Sequence, residues 1–454
     1  MNKSLVFIAA NRFGYGANQQ TLAQIVNQPV SCLLTQISAD NTAKISQAYR
    51  TVWNSTEAHK HVKQYRQLNR QLKNMPKGSD KKSKVKDKYK KQILAKVNAH
   101  ILYPISQATF SESPFFWRLL DFFSNHFSVS KGNLEMRALA STLESEAIAP
   151  HLSGSFKDML EAVGTHPAML LYLNNAKSVG PNSRYGKKRP NKGLNENLGR
   201  EILELHTLGV QGGYVQDDVR ELAKTITGWS VKTYKDEESG FIFRQNTHEP
   251  GQRTILGKRY PQPGIEKGIQ VLRDLADHPE TAKHVCTKLV AYFIADNPPT
   301  KIIDSMVVTW LETQGNLPKV LATMLAHPLS WQHEQQKFKT PRDLLISTCR
   351  ACGVDKIQPK FVRSLSIMGQ APFSAGSPAG YKVEKSAWSG PYAMMTRIEW
   401  SGYVGRFSKY SPTEVAKNSL GPLLNENTLR HVERAESKRQ AMALLIMSPE
   451  FQTR

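Results

Sequence analysis

The sequence predicts a mainly α fold: a single large multi-helix domain over 1–454, with a small β-hairpin or irregular insert and a protruding basic helical hairpin. Three observations point there. Apolar residues recur three and four apart through most of the chain. Strand-like runs occur only around Trp229 to Tyr234 and Phe241 to Gln245. An apolar fraction of 40% over 454 residues can fill a sizeable core, and no internal repeat of roughly 20 to 50 residues is evident.

The opening MNKSLVFIAANRFGYG carries one lysine and a short apolar run, Leu5 to Ala10, below the length of a signal-peptide core. No run approaches the roughly 20 apolar residues of a membrane span, so this reading keeps the chain in the cytoplasm. Next, Val62, Tyr65, Leu68, Leu72 and Met75 at helical spacing, then Val85, Tyr89, Ile93 and Val97 four apart, predict an antiparallel helical hairpin over 59–98 that turns at Pro76 to Gly78. The hairpin holds 14 Lys and Arg against 2 acids, about half of the net charge of +23. It reads either as a surface for an acidic polymer or as a solvated face. Without a glycine-rich or aromatic-interleaved motif, any nucleic-acid binding is expected to be non-specific.

Helical spacing continues over 113–126, 139–144, 155–174, 194–208 and 215–228. An insert over 229–262 reads as a β-hairpin around KDEESG. Helices resume over 264–295, 301–326 and 341–352, and the Gly-, Pro- and Ser-rich stretch 369–390 predicts a long ordered loop. Four cysteines are too few to staple the chain. Cys349 and Cys352 stand at a helix end, away from the N-terminus that would activate a thiol, so they read as buried thiols.

The chemistry concentrates in NENLGREILELHTLGVQGGYVQDDVRELAKTITGW, Asn195 to Trp229. Projected at about 100° per residue, Asn197, Glu201 and Glu204 overlap the apolar strip Leu198, Ile202, Leu205 and Leu208, while His206 points elsewhere. A carboxylate bordering a core must be paired, ligated or protonated. One reading makes Glu201, Glu204 and His126 catalytic, in a pocket shared with Asn125, with His126, Glu201, Glu204 and His248 holding a divalent metal. The other pairs the glutamates with Arg200, Arg220 or Arg118 and leaves His126 and His206 as satisfied core histidines; His166 reads as a helix start. Upstream, Arg184, Lys187, Lys188, Arg189 and Lys192 precede a helix capped by Asn195, a combination suited to binding an anion.

Several stretches together resemble the bacterial family of domain of unknown function 1800: NRFGYGA, DFFSNHF, HPAMLLYLNN, the signature above, HEPGQRTILGKRY, KLVAYFIADNPP, MGQAPF with SPAGY, and SPEFQTR. The resemblance spans nearly the whole chain and implies one large, mostly helical domain. It also implies an exported, periplasmic location, and a partner resembling a sulfatase or alkaline phosphatase. The sequence departs from the family in lacking its usual export signal and in reading FFSNHF, with Phe123 for a tryptophan and Ser124 where a first histidine is common. The functional expectation is an enzyme-like helical domain performing metal-dependent hydrolysis of an anionic substrate. Its alternative is a non-catalytic accessory or scaffold protein that partners such an enzyme or binds acidic polymer.

Overall fold

Several helices start where a small polar side chain takes up a free N–H. Ser38 accepts from Asn41 N ahead of Ala39–Val52, Asn54 from Glu57 N ahead of Ser55–Gln71, and Thr340 from Asp343 N in a capping box ahead of Pro341–Ala351. The computed structural model describes residues 3–25, 28–74, 80–232, 240–332 and 337–454. It is mainly α, with two small two-stranded antiparallel sheets. One apolar core reaches from Phe13 to Phe451, and a smaller cluster gathers Val6, Ala9, Ala10, Ala17 and Ile25.

The basic hairpin consists of Ser55–Gln71 and Asp80–Phe110; the turn expected at Pro76 to Gly78 lies outside the described residues. Val62, Ile93 and Val97 are buried, and Tyr65 stacks on Tyr89 at 6.2 Å, so the inner face is apolar as its spacing predicts.

Two elements differ from expectation. The insert 229–262 contains two hairpins instead of one. Trp229–Val231 pairs with Phe241–Phe243, and Arg253–Ile255 pairs with Lys258–Tyr260. The second turns on Leu256 and Gly257, both at positive φ, as two-residue hairpin turns require. Its three-residue strands are too short to show an alternating pattern. Most of KDEESG, 235–239, lies outside the described residues. The other difference is in the signature. Instead of one α-helix over 194–208, Asn197–Glu201 is α-helical and Ile202–His206 is π-helical. Two further π segments are Ala9–Phe13 and Glu144–Ile148. Such wider turns recur at functional positions, and they defeat a projection made at α-helical pitch.

The stretch 369–390 forms a strap held by hydrogen bonds. Asn125 clamps it twice: its Nδ2 donates to Tyr381 O at 2.8 Å and its Oδ1 accepts from Tyr381 N at 2.7 Å. Ser130 Oγ donates to Ala375 O at 2.7 Å, and the Tyr381 hydroxyl donates to Ala371 O at 2.7 Å. Gly380 sits at φ +79° against Asn125, where a Cβ would collide with the Asn125 carbonyl. The two cysteines of C-x-x-C are buried free thiols, both pushed upward in pKa by burial, Cys352 to about 12. Among the described residues no helix is long and apolar enough to cross a membrane.

Candidate functional site

The predicted site residues fall into three separate places. Glu201 and Glu204 are half-buried neighbours, and Asn197 is exposed. Burial first, and Glu204 second, raise the Glu201 pKa. The arginines expected to neutralise them are engaged elsewhere. Arg118 pairs with Asp343 at 3.1 Å, and Arg200 and Arg220 pair with Glu196 at 3.2 and 3.7 Å.

His126 lies apart from that pair, fully buried, in a cluster with His206 and His284, whose ring centroids stand 6.3 and 6.2 Å from its own. His126 Nε2 faces the carbonyl of His206 at 3.1 Å, and His284 Nε2 faces that of Leu205 at 3.2 Å. Among the described residues His126 Nδ1 and His206 Nε2 have no hydrogen-bond partner. Burial, reinforced by Lys288, drives all three pKa values down, His206 to about 3 and His284 to about 4. These are neutral core histidines, near one of the two readings of the sequence.

His248 belongs to a third place. Its Nδ1 stands 2.8 Å from Thr227 O, and the neighbouring Glu249 carboxylate accepts from Asn182 N and Nδ2 at 2.8 and 2.7 Å. The basic loop is tied here through Tyr185 N to Asn246 O at 2.9 Å. It is therefore an ordered loop, with Arg184, Lys187, Lys188, Arg189 and Lys192 all exposed. Asn195 Oδ1 accepts from Asn197 N at 3.0 Å, but Glu196 occupies the cap position, and the α-helix beyond is five residues long. An acid already stands where the anion was expected.

The metal set His126, Glu201, Glu204 and His248 is thus not assembled. Among the described residues no group of three or more His, Cys, Asp or Glu stands where it could hold a metal ion. The reason is physical: the π turn redirects the end of the signature helix, and His126 and His248 are each held by a different backbone carbonyl.

A fourth place, which the sequence reading did not assemble, is a small cleft of about 60 Å³ beneath the strap. The helix Pro114–His126 sends Asp121, Ser124 and Asn125 to it, three positions of one polar stripe on an otherwise aromatic helix. Glu144, first residue of a π segment, and Arg342, in the first turn of Pro341–Ala351, complete the floor. Glu144 is 5% exposed. Ser124 Oγ donates to its Oε1, and the Tyr49 hydroxyl donates to its Oε2 at 2.8 Å. Burial raises the Glu144 pKa, and the neighbouring Arg342 together with those two hydroxyls only partly offsets it.

Arg342 Nε lies 2.9 Å from Asp121 Oδ1, and Asp121 Oδ2 accepts from the Tyr292 hydroxyl at 2.9 Å. Burial opposes the guanidinium charge, but Asp121, Tyr15, Glu144 and Tyr292 together outweigh it and the Arg342 pKa is raised. Gln370 on the strap accepts from Arg342 N at 2.8 Å. Among the described residues nothing accepts a hydrogen bond from the terminal nitrogens of Arg342, and they are not among the buried unpartnered atoms, so they open to the cleft. A protonatable carboxyl beside a hydroxyl and a positioned guanidinium can hold an anionic group and exchange a proton with it. The signal for this site was present in the polar stripe 121, 124, 125 and in the first of the two acids of STLESEAIAP, but nothing local in sequence joins them to Arg342.

No curated protein and no solved structure matches the chain. A family model described as "Protein of unknown function (DUF1800)" matches residues 8–453, nearly the full length. The mostly helical chain with its strapped cleft belongs to the DUF1800 family.

Proposed function

We propose that the chain is a hydrolase acting on an anionic substrate in the cleft formed by Asp121, Ser124, Glu144 and Arg342. The observation that carries this reading is a buried carboxyl of raised pKa at the floor of a solvent-reached cleft, beside a guanidinium with free terminal nitrogens. In this reading Arg342 holds the anionic group and Asp121 fixes the guanidinium plane. Glu144 gives its proton to the leaving oxygen while water adds to the substrate, and Ser124 orients the carboxyl. The strap 369–390 shields the reacting groups from bulk water.

The test is turnover of a panel of anionic esters, p-nitrophenyl phosphate and p-nitrophenyl sulfate, by the full chain and by Glu144→Gln. The expected result is hydrolysis of at least one ester, falling by roughly a hundredfold or more in the variant, the scale of one general acid. No hydrolysis across the panel, or equal rates in the two proteins, contradicts the reading. A second reading places the acid work at Glu201 and Glu204, which Glu201's raised pKa favours. Loss of turnover in Glu201→Gln with Glu144→Gln unaffected would select it.

A further inference from the structure

The hairpin of Ser55–Gln71 and Asp80–Phe110 is not used by the cleft. Its inner side is a rigid apolar seam: Val62, Ile93 and Val97 are buried, His61 stacks on Trp53 at 5.6 Å, and Tyr65 stacks on Tyr89. Its outer side is cationic. At about 100° per residue, Lys84, Lys88 and Lys91 fall within about 60° of one another, opposite Ile93 and Val97, and rise about one helical turn apart. All three are exposed, as are Lys60, Arg70 and Lys90. On the hairpin Arg66 pairs with Glu135 at 2.7 Å, and among the described residues no acid pairs with Lys84, Lys88 or Lys91.

We infer that this outer face docks a linear acidic polysaccharide, one bearing sulfate or carboxylate groups. Charge complementarity selects a polyanion, because a rigid helix holds these lysines in a fixed row and little ordering is needed on binding. The chemistry of the face selects among polyanions. A membrane surface wants apolar side chains beside the charge, and on the two described helices Val85 and Phe110 are the exposed large apolar residues, at 37% and 43%. Single-stranded nucleic acid wants aromatic platforms, but Tyr65 and Tyr89 stack on each other in the seam and Tyr103 stacks on the buried Tyr49. Phosphate recognition favours free arginine forks; the segment 59–98 has 12 Lys and 2 Arg, and Arg66 is already paired. Lysines acting as point charges suit spaced sulfates or carboxylates.

The experiment uses the full chain, dextran sulfate as the probe, and a triple Lys84→Gln, Lys88→Gln, Lys91→Gln variant, with binding followed across a salt series. The expected result is an affinity that falls steeply with salt, is lost by roughly tenfold or more in the triple variant, and is kept when the same lysines become arginine. A control triple, Lys187→Gln, Lys188→Gln and Lys192→Gln, should leave it within roughly twofold. Equal binding by the native chain and the hairpin variant overturns the inference. So does tighter binding of duplex DNA or of anionic phosphatidylglycerol vesicles than of dextran sulfate. If the glutamine triple melts early, the single Lys88→Gln decides in its place by a weakened affinity or an unchanged one.

Discussion

Glu144 carries opposite consequences for stability and chemistry. Its pKa in the folded chain is raised above the ordinary 4.5. The stability it contributes is therefore fully present below pH 4.5 and is lost as pH rises through the folded value. Glu144→Gln cannot ionise, so it should melt at or above the native temperature at pH 8, with the gap closing towards pH 4, even as turnover is lost. Scanning calorimetry at the two pH values checks this. At this scale the sequence was legible in part. Glu201 and Glu204 in the signature are half-buried, and His166 does start a helix, its Nδ1 accepting from Ala168 N at 3.2 Å. Glu144 is not legible in the sequence because, like Glu146 two residues on, it looks like any solvated acid; only its tertiary neighbours Tyr49 and Ser124 make it chemical.

Among elements, the strap and the histidine cluster make separate predictions. Asn125 fixes the strap through two hydrogen bonds, so Asn125→Ala should cost about 1 to 3 kcal/mol. It should also open 369–390 to limited proteolysis while the hairpin stays protected. Denaturant melts and mapped cleavage sites measure both.

The cluster joins the helix Pro114–His126, the π segment Ile202–His206 and the helix Pro279–Phe293. Its charged neighbour in the fold is Lys288, itself lowered by burial to about 8. Depressed histidine pKa values hold stability above pH 6.5 and lose it as pH falls from there to about 3 or 4. His206→Phe keeps the volume and removes a protonation, so the decline of stability between pH 6.5 and pH 4 should become shallower; an unchanged slope would count against the cluster as the acid-sensitive joint. Long amphipathic helices could be read from spacing. The π turns and the second small hairpin could not, because each is shorter than the period that would announce it.

Across the whole molecule, buried charge holds the two ends of the fold together. Asp343, 1% exposed, accepts from Arg454 Nε at 3.0 Å and pairs with Arg118 at 3.1 Å. Arg118 Nε donates to Gly14 O at 2.5 Å, and Arg454 Nη1 to Arg12 O at 3.2 Å. The same aspartate caps the helix that carries Arg342, so this network also sets the cleft. Asp343→Asn leaves two buried guanidinium groups short of a counter-charge and should cost about 3 to 5 kcal/mol, read as a lower urea midpoint. Family-level architecture was legible because quoted motifs run in order along the chain. The site was not, because it draws on residues from 121 to 383 that meet only after folding.

The central claim is that the cleft under the strap, and not the signature glutamates or the basic loop, receives the substrate. A crystal of the full chain soaked with p-nitrophenyl phosphate tests it most directly. The account predicts the phosphate on the terminal nitrogens of Arg342, within hydrogen-bond reach of Ser124 or Glu144. Ligand at Glu201 and Glu204, or on the loop carrying Arg184 to Lys192, with the cleft empty, would contradict it.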